Sequence, residues 1–389
     1  MLPLLLIPYI LLIGLAGDQI IRYQSKSSKT YKIVGFKENV GMTMGQQIVE
    51  GHGVKVKKYL PLANACLCEV EDSATTYRSL TADSAIEFIE DDYEGWILGE
   101  PVISFDIKKA GQEIPWGVEK IGAPDVWKEA DGRGVKVAVI DTGVDLEHPD
   151  LEANLAEAGW VLECQNIVDD NGHGTHVAGT IAAVDNDIGV VGVAPKATIY
   201  AVKAFNKSGR GNISNVIDAL NWCVERNVQV INMSFGFKNN SKALQRAIKE
   251  AYSRNIVLVA ASGNSGGSNS VLYPAKYPEV IAVGASNSND KAAWFSSGGV
   301  EVDLIAPGAG IMSTYKDGGY ESMSGTSMAA PHVTGAAALL LSAVKLTPAQ
   351  VRQALTETAT DLGIAKNKQG AGLLNVKKAL ARAKSLSLG

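Results

Sequence analysis

The chain is poor in the groups that would tie it to a polyanion, a disulfide scaffold or a bilayer. Its charges nearly balance, with 36 Lys+Arg against 41 Asp+Glu, a net charge of -5 and no basic block, so no nucleic acid partner is expected. Only 4 Cys occur in 389 residues, too few for a disulfide framework. Cys66 and Cys68 would share one strand face in poor geometry for bridging each other. Cys164 and Cys223 could pair only if the fold joins them, and Cys223, inside the helical pattern 216–226, reads as a small buried hydrophobe. The 5 His offer no compact zinc set, because His52, His148 and His332 lie far from the pair His173 and His176. His176 and His332 read as structural. There is no internal repeat, no low-complexity tract and, after residue 16, no apolar run long enough for a membrane span.

What is present is a globular chain, 46% hydrophobic, able to bury one large core and a smaller second one. Residues 2–16 form an apolar stretch of signal-peptide length, ending in the small-x-small pattern Gly14-Leu15-Ala16. Removal of residues 1–17 and export are therefore expected. A retained N-terminal anchor is the alternative, since no Lys or Arg precedes the apolar core. Residues 31–36, 54–60, 66–70 and 85–90 then read as strands, with helices over 41–51 and 74–80; together they make a small α+β unit. After an irregular connection over 99–112 the pattern changes. The apolar runs 135–140, 197–202, 228–233, 256–261 and 280–283, with helices between several of them, predict an α/β domain with a mainly parallel sheet flanked by helices. Ligand sites in such folds lie beyond the carboxyl ends of the strands.

Three residues at such places suit nucleophilic chemistry. Asp141 ends the first long strand. His173 opens a helix in NGHGTHVAGT (171–180). Ser327 stands where a glycine turn becomes a small-residue helix, so free N–H groups and the helix dipole surround its hydroxyl. Taken alone, Ser327 reads more readily as part of an ordinary helix start. A serine becomes nucleophilic when a histidine takes its proton, and a buried carboxylate then orients the imidazole.

The blocks VAVIDTGVDLEHPDL (137–151), NGHGTHVAGTIAAVDNDIGVVGVAP (171–195), VINMSFG (230–236), VAASGN (259–264), YPAKYPEVIAVGA (273–285) and SGTSMAAPHVTGAAALL (324–340) together resemble the subtilisin-like serine proteases. The Asp, His, Ser order is that of subtilisin itself. The resemblance implies a three-layer α/β catalytic domain and a secreted, calcium-stabilised endopeptidase of broad specificity with a preference for apolar residues before the cut. Asp141 would be the orienting acid, His173 the general base and acid, Ser327 the nucleophile and Asn264 the oxyanion donor. Substrate would lie between Gly209-Arg210-Gly211 and Ser234-Phe235-Gly236. The resemblance gives the first pocket walls from Ala261, Ser262, Gly263, Ser265 and Leu272, and a fourth pocket with Ile213, Val216 and Phe235; Phe235 and Phe237 replace residues that are commonly smaller.

The resemblance further implies a calcium (Ca2+) site made by Gln112, Asp150, Asn186 and the carbonyls of Val184, Ile188 and Val190, an oxygen-only set that suits this ion. A weaker cation site would involve Ala275, Tyr277, Val280 and Asp303. Residues 18–98 resemble an inhibitory propeptide that acts as intramolecular chaperone, cut by the enzyme itself between Leu98 and Gly99. The catalytic domain is then 99–389, with 99–111 an N-terminal extension and a second trim near Gly111 as the alternative. Partners expected are protein and peptide substrates and the chain's own propeptide, and the enzyme is expected to be a monomer. A catalytically idle scaffold that binds peptides is the other functional reading.

Overall fold

The structure is a computed structural model that describes residues 30–70, 74–103, 111–162 and 167–388. Residues 1–17, expected to serve export, and Cys164 lie outside the described residues. Cys66, Cys68 and Cys223 are free and buried; burial pushes the Cys66 thiol up to about 11 and the other two higher.

The first unit contains β1 (Thr30–Phe36), α1 (Met42–Gly51), β2 (Lys55–Leu60), β3 (Ala65–Val70), α2 (Ala74–Ala82) and β4 (Ile86–Asp91), with the strands ordered β2-β3-β1-β4. All pairings are antiparallel. Period-2 alternation gives this sheet two apolar faces. Val34, Phe36, Cys66, Cys68 and Val70 pack with Val49 and Leu80 in the unit's own core, whereas Ile33, Leu67 and Phe88 join the core of the following domain. A sheet with apolar residues on both faces cannot leave one of them in water without cost; here the second face covers α5 (Ile213–Glu225) and α6 (Lys242–Ser253).

The chain then runs through β5 (Glu94–Ile97) and β6 (Glu100–Ile103) before α3 (Trp116–Lys120). The large sheet follows, built from β7 (Lys136–Asp141), β8 (Leu155–Trp160), β9 (Thr198–Lys203), β11 (Val230–Met233), β13 (Val257–Ala261), β14 (Ile281–Ser286) and β15 (Leu304–Pro307). Its 7 strands are ordered β15-β14-β13-β11-β7-β9-β8 and pair in parallel. Five of these strands coincide with the apolar runs of the sequence. The central strands are buried on both faces because helices cover both sides: α4 (His173–Ala182) and α7 (Thr326–Ala343) on one, α5 and α6 on the other. α7 is apolar nearly all round and buried over most of its length, as a core helix must be. Among the described residues no single helix is long and apolar enough to cross a membrane.

Two short sheets complete the architecture. β5 lies between β10 (Arg210–Asn212) and β12 (Phe235–Gly236), and β6 lies beside β17 (Gly319–Ser324), which also pairs with β16 (Ile311–Tyr315). The chain segment leaving the first unit is therefore an added strand in both small sheets. Two carboxylates anchor it further. Glu90 accepts from the backbone N–H groups of Lys242 (2.9 Å) and Ala243 (3.1 Å) at the start of α6. Asp92 accepts from the Ser214 N–H (2.9 Å) and hydroxyl (2.8 Å) at the start of α5. Helix N-termini present unpaired donors and positive potential, so these are favourable places for carboxylates.

Candidate active site

The site lies where the carboxyl ends of β7, β11 and β13 meet the N-terminus of α7. Asp141 ends β7 and is fully buried; its Oδ1 accepts from Nδ1 of His173 at 2.7 Å and from the Thr142 N–H at 2.8 Å. His173 is the first residue of α4 and is also fully buried, with no partner on Nε2 among the described residues. The Ser327 hydroxyl donates to the Ser234 carbonyl at 2.8 Å. The Asp141–His173 link is thus made while the His173–Ser327 link is open. The other two helical histidines serve structure. His176 Nε2 lies 2.9 Å from the Ile311 carbonyl, and His332 Nδ1 lies 2.8 Å from that of Met328. Burial lowers their pKa values to about 3 and about 4.

The bond between Leu98 and Gly99 occupies this site. The carbonyl oxygen of Leu98 accepts from the Asn264 side-chain amide at 2.7 Å and from the Ser327 N–H at 3.3 Å. Thr326 fixes the amide's orientation, since Asn264 Oδ1 accepts its N–H (2.9 Å) and hydroxyl (2.8 Å). The Leu98 N–H lies 3.1 Å from Ser327 Oγ and 3.2 Å from the Ser234 carbonyl. A Cβ on Gly325 would collide with the Leu98 oxygen, and one on Gly99 would stand 3.0 Å from His173 Nε2. The glycine at 325 admits the carbonyl, and the imidazole packs against the leaving side of the bond.

The two rails expected from sequence hold the segment before that bond. Arg210, Gly211 and Asn212 pair with Trp96, Gly95 and Glu94; Phe235 and Gly236 pair with Ile97 and Trp96. The Ile97 N–H donates to the Gly209 carbonyl at 3.1 Å. Leu98 is 3% exposed and clusters with Ala261 and Leu272, and its Cδ1 lies 3.2 Å from where a Gly236 Cβ would be. Ser262 is buried with its hydroxyl turned to the Ser297 carbonyl (3.0 Å), and Gly263, at φ +123, has no room for a side chain beside Leu272. Ser265 is exposed. Ile213, Val216 and Phe235 are buried together. Phe237 is the ring that reaches the chain here: a Cβ on Gly95 would stand 2.5 Å from it.

The residues expected to hold calcium converge as well. Gln112 Nε2 lies 2.7 Å from the Val184 carbonyl, 3.3 Å from that of Val190 and 3.4 Å from Asn186 Oδ1. Turning that amide over presents Oε1 to the same point. Asp150 Oδ1 is buried with no partner among the described residues, and Oδ2 accepts from the Val190 N–H (2.8 Å) and the Tyr320 hydroxyl (2.9 Å). Ile188 belongs to the same loop through its N–H to Asn186 Oδ1 at 3.2 Å. A Cβ on Gly189, at φ +53, would strike Asp150 and Tyr320. This all-oxygen donor set, with an orphaned carboxylate oxygen, fits Ca2+. The weaker site fares differently. Asp303 receives Arg352 at 2.8 and 2.7 Å on its two oxygens, so its charge is already matched.

Sequence reasoning missed Thr326, which aims Asn264, and Tyr320, which holds Asp150; it marked Phe237 only as larger than usual. A further buried network contains Asp169, Lys203 and Thr142. Thr142 and Thr326 lie inside the quoted blocks, which was the available signal for those two, whereas Tyr320, Asp169 and Lys203 lie outside them.

An α/β domain that brings an Asp–His pair, a serine at a helix start and an amide donor to one peptide carbonyl defines a serine peptidase. Residues 132–372 match the Subtilase family. The chain is 42% identical over 364 residues to subtilisin E of Bacillus subtilis (strain 168), covering 92% of this chain and 91% of that protein. It is 38% identical over 381 residues to an alkaline protease of Shouchella clausii, covering 95% and 96%, and 48% identical over 273 residues to subtilisin DY of Bacillus licheniformis, covering 69% and 99%. The chain belongs to the subtilase family and is a serine endopeptidase.

Proposed function

We propose that this endopeptidase is secreted, is stabilised by calcium, and first cuts its own chain between Leu98 and Gly99. The observation that carries the reading is the position of that bond, with its carbonyl oxygen between Asn264 Nδ2 and the Ser327 N–H. His173 takes the proton from Ser327 as Oγ attacks the carbonyl carbon, with Asp141 holding Nδ1 and stabilising the imidazolium. Negative charge develops on the oxygen that the two donors face. His173 then returns the proton to the leaving nitrogen of Gly99, which leaves an ester on Ser327. Water, deprotonated by the same imidazole, hydrolyses that ester and restores the serine. The base works only when neutral, so the rate rises with pH.

The apolar surroundings of Leu98 support a preference for apolar residues before the cut, and the strand pairing on both rails supports recognition of extended protein chains. Residues 18–98 act as propeptide: the sheet face on α5 and α6, with Glu90 and Asp92 on two helix ends, keeps them bound after the cut as a product-like inhibitor. Gln112, Asp150, Asn186 and the loop carbonyls would hold calcium, which would supply charge neutralisation for the buried Asp150. Because residues 99–111 separate the cut from Gln112, the calcium residues are already together in the uncut chain. The idle-scaffold reading has no comparable support, since the Asp–His pair and oxyanion donors are complete. Labelling by a fluorophosphonate that appears on Ser327 and vanishes in Ser327→Ala or Asp141→Ala tests the reading; a peptidase activity unaffected by both variants contradicts it.

A further inference from the structure

We infer that Asp169 is a positioning residue for the reaction, acting through Thr142 and the first turn of α4 to set the hydrogen bond between Asp141 and His173. The inference rests on the acid and base roles proposed above. Asp169 is 3% exposed, and its donors are neutral groups of the two segments that carry those residues. Oδ1 accepts from the Thr142 hydroxyl (2.8 Å) and the N–H groups of Asn171 (3.1 Å) and Gly172 (2.8 Å). Oδ2 accepts from the N–H (2.9 Å) and hydroxyl (2.6 Å) of Thr175. A buried carboxylate is expensive unless donors saturate it, and here five donors do.

The placement of those donors gives Asp169 its reach. Thr142 directly follows Asp141, and Gly172 directly precedes His173, so one carboxylate spans the end of β7 and the start of α4. α4 cannot cap itself: its N-cap is Gly172, at φ +109, and a Cβ there would strike the Tyr315 ring. Asp169 satisfies the N–H groups of Gly172 and Thr175 from outside the helix. Thr142 is clamped a second time. Lys203, 1% exposed, donates to its carbonyl at 2.6 Å while paired with Asp170 at 2.6 Å. The Thr142 hydroxyl also accepts from the Gly174 N–H at 3.0 Å, so this one side chain relays between Asp169 and the residue after His173. Replacing its hydroxyl with methyl leaves the Gly174 N–H unpaired and removes one of the three donors to Asp169 Oδ1.

The test uses mature enzyme carrying Asp169→Asn, Thr142→Val or Thr142→Ser. Turnover of a peptide anilide is normalised to titrated active sites, and the His173 Nδ1 proton is followed by its downfield NMR resonance. Asp169→Asn and Thr142→Val are expected to lower kcat roughly tenfold to a hundredfold with KM little changed, and to shift or broaden that resonance. Thr142→Ser, which keeps the hydroxyl, restores both. A carboxylate that only holds the helix would lower Tm and leave kcat per site and the resonance unchanged; that result in Thr142→Val overturns the inference, even if Asp169→Asn does not mature. Asp141→Ala separates the two claims. If it keeps full kcat, the proposed acid role fails; if it loses activity while the Thr142→Val and Asp169→Asn enzymes do not, only the role of Asp169 fails.

Discussion

The side-chain amide of Asn264 donates to the carbonyl oxygen of Leu98 over 2.7 Å, and Thr326 fixes which end of that amide faces the carbonyl. A hydrogen bond to a carbonyl that strengthens as the oxygen gains charge stabilises the transition state more than the bound substrate.

Asn264→Ala should therefore lower kcat with little change in KM. The expected loss is about 3 kcal/mol, or roughly a hundredfold, a magnitude carried over from subtilisin itself. Steady-state kinetics on peptide anilides check this, and a variant that changes KM alone contradicts it.

Calcium should stabilise the chain before any cut is made. In Ser327→Ala, which should stay continuous, calcium at about a hundredfold over its Kd adds about 2.7 kcal/mol, a rise in Tm of about 3 °C for a chain of this length. Calorimetry with calcium and with a chelator measures it. Asp150→Asn should abolish most of the difference, and equal Tm values in both conditions contradict the site.

The fourth subsite should accept little beyond glycine, because Phe237 stands against Gly95. Phe237→Ala is expected to raise kcat/KM for peptides with a leucine or phenylalanine four residues before the cut, relative to glycine there. An unchanged ratio in a peptide-library profile means that the ring does not close this subsite.

Acid should destabilise the fold through His176 and His332. Their folded pKa values are lowered by burial to about 3 and about 4, below the ordinary value near 6.5. The unfolded chain then binds protons that the folded chain excludes, so stability is fully present above about pH 6.5 and falls as pH drops toward 4. Thermal melts of Ser327→Ala across this range measure the slope. His332→Gln should flatten part of it; an equally steep slope in that variant assigns the acid loss to other groups.

Much of this was legible in the sequence for physical reasons. Strands buried on both faces must be apolar throughout, so β7, β9, β11, β13 and β14 stood out. Asp141 and Asn264 follow two of those runs, at the strand ends where α/β sites form. Two strands of the large sheet were not visible. β8 (LAEAGW) is an edge strand with much of its surface exposed, and β15 is four residues ending in Pro307. Their pairing is decided by neighbours far away in sequence. The same holds for Thr326, Tyr320 and Asp169, whose residue types are ordinary and whose partners come from other elements. The pairing of β6 with β17 likewise depends on where the peptide before it is held, which no local pattern encodes.

The measurement that bears most directly on the account is intact mass with N-terminal sequencing of the wild-type chain and Ser327→Ala, taken over time after folding. The wild type should yield a mature chain beginning at Gly99, with later trimming no further than about Gly111, while Ser327→Ala stays uncut across this region. A Ser327→Ala chain cleaved after Leu98 at the wild-type rate, or a wild-type mature chain beginning far from both positions, would contradict it.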